Sequence, residues 1–253
     1  MKCTKSKKGF TLVELSIVLV IISLIVASVL VGQDLIRAAE INKLISEHDD
    51  YASAVATFRL RYNGLAGDID GSVFGFSGDG DNNGVLDPGI DDASSLAATS
   101  ENVYFWSHLG ATGAQLISGS FTPALFDVST DNMDDILPES AIGTVNWGVY
   151  ANSSIDVNYF VLGPANDSSN GTDGKYNTED ALTPLDAYSI DIKLDDGLPN
   201  QGYVRAGEGS NTDAWTLPDG DTTCANSGVE QDSGTYNLDA TAIACTLRFE
   251  MRY

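Results

Sequence analysis

Gly9-Phe10-Thr11-Leu12-Val13-Glu14 stands at the junction of a short lysine-rich leader and a 22-residue apolar run, Phe10 to Val31, in which Glu14 is the only charge. A carboxylate inside hydrocarbon is costly unless paired, so an acid kept near the start of a membrane helix is functional by default. At about 1.5 Å per residue the run spans roughly 33 Å as a helix, close to the thickness of a bilayer core. The leader holds Lys2, Lys5, Lys7 and Lys8 and no acid. The positive-inside rule therefore keeps it cytoplasmic and sends the chain after residue 31 outward. A conventional secretory signal is cut after its apolar stretch, and Val26-Ala27-Ser28 fits such a small-x-small site. That alternative gives no reason for Glu14 or for glycine and phenylalanine at the boundary.

The same residues resemble the class III signal of type IV prepilins and type II secretion pseudopilins. The resemblance implies cleavage between Gly9 and Phe10 by a membrane-bound prepilin peptidase, then N-methylation of Phe10. It gives Glu14 an assembly role, pairing with the terminal amine of a neighbouring Phe10. The partners it implies are the prepilin peptidase, other pilin or pseudopilin subunits and an inner-membrane assembly platform. The location it implies is a single pass through the inner membrane, with the head in the periplasm or in an extracytoplasmic filament.

Nothing breaks the helix beyond the membrane. The first proline is Pro88, and Gly32 is the only glycine between Phe10 and Tyr62. Ile41, Leu44, Ile45, His48, Tyr51, Ala52, Val55, Phe58 and Tyr62 recur at threes and fours, one helical face. The spacing predicts one continuous helix from Phe10 to Tyr62, stopped by Asn63-Gly64, residues that tolerate the left-handed conformation of a C-cap. The chain thus divides into a class III leader (1–9), a transmembrane and assembly helix (10–31), an amphipathic continuation (32–62) and a head (63–253).

The charge is concentrated in that head. The formal net charge of −23 becomes −27 without the leader, where nine basic residues face 36 acids. Such a balance repels nucleic acid, so no nucleic-acid partner is expected. Cys3 leaves with the leader, and Cys224 and Cys245 remain as an even pair on the oxidising side of the membrane, where a disulfide is expected.

Residues 64–95 are rich in Gly, Asp, Ser and Asn and read as a long loop. Within it, Asp79-Gly80-Asp81-Asn82-Asn83-Gly84-Val85-Leu86-Asp87 fits the first nine places of an EF-hand-type calcium loop. Asp79, Asp81 and Asn83 would supply oxygens, Gly84 the sharp turn, Val85 a carbonyl and Asp87 a direct or water-mediated ligand, with Leu86 anchored by burial. The twelfth place holds Ile90, so Asp91 or Asp92 would have to serve instead. Calcium is the expected cofactor; the competing reading is a solvated acidic loop.

Three head fragments resemble one group of large pilin-like proteins. They are the Asn63-to-Asp68 turn, with Ala66 where that group has proline, the Glu101-to-Gly119 segment with Phe105-Trp106-Ser107-His108-Leu109, and Ile190 to Ala206. Ser100 is the expected cap of a helix through His108, and Thr183-Pro184 the start of another. His48 and His108 lack a nucleophile or a second ligand in register and read as structural. Asp191 and Asp195 share a helical face, open either to a second cation or to holding backbone amides. Thr144–Tyr150 and Ile155–Leu162 read as a hairpin, with further strands at Gly202–Ala206 and Cys245–Tyr253. In the last strand Leu247, Phe249 and Met251 alternate with Arg248, Glu250 and Arg252, which predicts one buried and one wet face.

The expected fold is α+β and pilin-like, a long N-terminal helix packed on an antiparallel sheet head with long loops. The expected function is a structural subunit, a pseudopilin or minor pilin of a type II secretion or type IV pilus-type filament, and no enzyme. The alternative is a non-polymerising, membrane-anchored periplasmic calcium-binding module that docks a secreted partner.

Overall fold

A computed structural model describes residues 11–86, 101–122, 135–143, 145–152, 156–163, 180–207, 223–226 and 234–253. Gly9, Phe10, Asp87, Asp91 and Ser100 lie outside them, as do residues 164–179.

The first element, α1, runs unbroken over Leu12–Tyr62, 51 residues, or roughly 76 Å at 1.5 Å per residue. It ends where expected: Asn63 has φ 55° and ψ 36°, and its N–H donates to the Arg59 carbonyl. Among the described residues, only its second half touches the head. Ile41, Leu44, His48, Val55 and Phe58 are buried, and Ile45, Tyr51, Ala52 and Tyr62 pack at the edge of the same core. These are the residues of the predicted face.

The head is built on a four-stranded antiparallel sheet in the order β1-β2-β6-β3, formed by β1 (Asn146–Asn152), β2 (Val157–Gly163), β3 (Val204–Gly207) and β6 (Thr246–Glu250). One face lies on α1, where His48 sits 5.0 Å from the Phe249 ring and Tyr51 5.8 Å from Trp147. A two-stranded ribbon, β4 (Ala225–Asn226) with β5 (Thr235–Tyr236), is attached beside it. Three further helices complete the described head: α2 (Gly71–Phe74), α3 (Glu101–Leu109) and α4 (Pro184–Leu194). Thr183 caps α4, its hydroxyl accepting from the Asp186 amide.

Two local expectations differ from the structure. The loop after α1 contains α2, a single turn whose Phe74 packs edge-on against Tyr62 at 5.2 Å; the aromatic contact orders a segment that composition alone reads as irregular. The predicted wet face of the last strand is covered at Arg248, which is only 6% exposed. Its guanidinium lies 4.8 Å from the Tyr159 ring centroid on the neighbouring strand, beside buried Val161. A cation stacked on an aromatic ring can be shielded on a strand face that the alternation assigns to water.

Candidate functional site

The N-terminal end of α1 is closed by a reciprocal pair. The Thr11 hydroxyl accepts from the Glu14 amide at 3.3 Å, while Glu14 Oε2 accepts from the Thr11 amide at 2.8 Å and from its hydroxyl at 2.9 Å. This is a capping box, and it satisfies donors that the first helical turn leaves open. Glu14 therefore has a local role beyond the one its place in the apolar run suggests, and the Thr-x-x-Glu spacing is the signal for it in the sequence. From Leu12 to Ile36 the large apolar side chains are all at least half exposed. A stretch of that size requires lipid or partner helices to cover it.

The second site is the acidic turn after α1. Gly67 has φ +88°, and a Cβ there would lie 2.3 Å from the Glu101 carbonyl oxygen, so only glycine lets the turn lie against α3. The Gly67 amide donates to His108 Nδ1 at 2.9 Å, which leaves the proton on Nε2, donated to the Ser77 carbonyl at 2.9 Å. Burial lowers the His108 pKa, so the ring is a neutral strut between two loop segments. His48, also lowered by burial, is packed among Trp147, Phe160 and Phe249.

Asp68, 1% exposed, accepts from the Asn83 amide at 3.0 Å and from the Gly84 amide at 3.0 Å. Asp81 accepts from the Asn83 amide at 3.0 Å and its side-chain nitrogen at 2.9 Å, and its own amide donates to Glu101 at 2.9 Å. Carboxylate oxygens of Asp68, Asp81 and Glu101 lie within 4.8 Å of one another. Burial, with the nearby charge of Asp81, raises the Asp68 pKa despite the amides that hold it. Gly84 takes φ +91°, as the sharp turn requires, and Val85 and Leu86 are buried. Asn83 folds its carbonyl back to the Val85 amide at 2.7 Å. Asp79 is turned elsewhere, accepting from the Ser72 amide at 2.9 Å. The structure thus brings Asp81 together with Asp68 and Glu101, which lie outside the linear motif and carry no signal within it.

In the second acidic group, Asp191 accepts from the Gly197 amide at 3.1 Å and the Tyr236 hydroxyl at 2.8 Å, and Asp195 from the Tyr203 amide at 2.6 Å and the Val204 amide at 3.2 Å. Both acids hold backbone amides, one of the two roles their shared face leaves open, and carboxylate oxygens of Asp191, Asp195 and Asp196 also lie within 4.8 Å of one another. Cys224 and Cys245 form a disulfide with Cα atoms 5.1 Å apart, joining the ribbon to the start of β6.

Residues 4–30 match the family model described as the prokaryotic N-terminal methylation motif. No curated protein and no solved structure matches the chain. The motif lies on a long apolar N-terminal helix whose second half packs against a four-stranded antiparallel sheet, an arrangement consistent with a pilin-like α+β fold. The match supports the type IV pilin-like family for this chain, and with it a pilin-type subunit, processing by a prepilin peptidase and assembly with other pilin subunits. Among the described residues, one helix is long and apolar enough to cross a membrane, which fits a membrane-anchored protein with an extracytoplasmic head.

Proposed function

We propose that the chain is a pseudopilin or minor-pilin-type subunit of a type II secretion or type IV pilus-type filament, cut between Gly9 and Phe10 and assembled through α1. The observation that carries this reading is the methylation motif at residues 4–30 on a helix whose first half has no cover among the described residues of the head. In the filament, Glu14 exchanges its capping contacts with Thr11 for the amine of a neighbouring Phe10. A head of this size suits a minor or terminal subunit. Intact-mass analysis of the chain from membranes with and without a prepilin peptidase tests the proposal. A mature chain beginning at methylated Phe10 only when the peptidase is present supports it. A chain beginning after Ala27 or Ser28, or an uncut one, overturns it.

A second reading is the membrane-anchored calcium-binding module that docks a secreted partner without polymerising. The converging oxygens of Asp68, Asp81 and Glu101 favour it, since hard carboxylate donors suit calcium. Calcium binding at this turn is itself a proposal and is compatible with either reading. Retained function after α1 is replaced by an unrelated anchor would favour the module.

A further inference from the structure

Among the described residues, the end of the head nearest the membrane carries exposed apolar side chains. Arg37 of α1 is bonded to Asp186 of α4 at 3.0 and 2.6 Å, and farther along both helices Lys193 donates to Asn42 at 2.9 Å. So α4 runs alongside α1 in the same direction, with its N-terminus toward the membrane. Strand β6 rises the same way: Cys245 pairs with Leu182 just before α4, and at the far end the Tyr253 ring lies 3.9 Å from the Arg59 guanidinium. Leu185, 55% exposed in the first turn of α4, and Ile243, 60% exposed just before Cys245, therefore share the lower pole with Leu35 and Ile36, 66% and 62% exposed on α1. Side chains on a helix tilt toward its N-terminus, which aims Leu185 at the membrane.

Depth arithmetic places this pole. If residues 10–31 fill the hydrocarbon core, the headgroup zone adds roughly 5–7 Å on that side, or about four residues of helix at 1.5 Å each. It ends near Ile36. Arg37 with its Asp186 partner then sits at the water boundary, and Leu185 beside it reaches the headgroups. We infer that Leu35, Ile36, Leu185 and Ile243 form an interfacial collar that seats the head on the outer leaflet surface before assembly. Its lipid is zwitterionic, because Asp34, Glu40 and Asp186 outnumber Arg37 around the collar and repel anionic headgroups. This seating rests on α1 spanning the bilayer, and it fixes the direction in which the head leaves the membrane.

The test uses the full chain with Cys3→Ser, reconstituted at low protein-to-lipid ratio in phosphatidylcholine/phosphatidylethanolamine vesicles. Spin labels are placed at Leu185→Cys, Ile243→Cys, Val73→Cys and Val18→Cys, with the native disulfide intact. Labels at 185 and 243 are expected to lose collisions with a water-soluble nickel chelate and gain collisions with dioxygen relative to the label at 73, with the difference shrinking in phosphatidylglycerol vesicles. Equal nickel access at 185, 243 and 73 overturns the collar. Protection that appears only at high protein density also overturns it, in favour of contact with a second copy. The label at 18 separates the two readings: if it is deep while 185 is not, the membrane span stands and the collar fails.

Discussion

The hydroxyl of Tyr236 donates to Oδ2 of Asp191 at 2.8 Å, joining the disulfide-bearing ribbon to the underside of α4. Asp191 is fully buried, and desolvation raises its pKa to about 7 even though the Tyr236 hydroxyl and Gly197 amide favour the anion. An acid with a raised folded-state pKa binds more protons folded than unfolded between about 4 and 7. The head should therefore lose stability as pH rises through that window and regain it on acidification. One proton's difference between the two states sets the steepest slope at about 1.4 kcal/mol per pH unit. Thermal unfolding of wild type and Asp191→Asn across pH 4–8 is expected to show the slope in the former and a flatter profile in the latter. His108 and His48 act in the opposite sense, since buried neutral rings cost stability once pH falls below the ordinary histidine range.

Gly202 leaves room for the carboxylate that closes the same corner. A Cβ at Gly202 would lie 1.6 Å from Asp195 Oδ2, and its φ of +70° is unfavourable for a side chain. Gly202→Ala should force Asp195 away from the amides of Tyr203 and Val204 and destabilise the head by about 2 kcal/mol or more, combining backbone strain with lost charge-assisted bonds. Urea unfolding of the two proteins measures it; an unchanged midpoint would show that the corner relaxes freely.

The Cys224–Cys245 bond spans 21 residues. Chain-entropy reasoning gives such a closure about 3 kcal/mol. A double Cys224→Ala, Cys245→Ala variant should unfold at correspondingly lower denaturant, and cleavage by a protease should rise first in the ribbon.

How much of the fold is legible from residues alone follows from the range of the interactions. The helix is readable to within two residues because its face is written at threes and fours and its stop in Asn63-Gly64. Thr183-Pro184 likewise announces α4, and the alternating strands announce the hairpin and β6. The ribbon β4–β5 is not legible, since strands of two residues carry no periodicity and are held by Cys224 and by the Tyr236 hydroxyl on Asp191. The burial of Arg248, which lies opposite Val161, depends on Tyr159 diagonally across the sheet, a placement that only the register fixes. At the acidic turn the linear motif is readable, but the convergence of Asp68 and Glu101 on Asp81 depends on α3 docking against Gly67 through His108.

That convergence separates two ligand sets for calcium. In the linear loop Asp79, Asp81, Asn83, Val85 and Asp87 carry the ion, with Asp91 at the end; in the folded turn Asp81 works with Asp68 and Glu101. Calcium bound to the folded state raises the unfolding midpoint with concentration. Asp81→Asn should abolish this rise under either arrangement. Glu101→Gln should abolish it only if the folded turn is the site, and Asp79→Ala should leave it intact in that case, because Asp79 is occupied by the Ser72 amide. We expect loss in Glu101→Gln and retention in Asp79→Ala, read as the dependence of the melting temperature on calcium concentration. The reverse pattern would place the ion in the linear loop, and a midpoint indifferent to calcium in the wild type would leave the turn as a purely structural clasp.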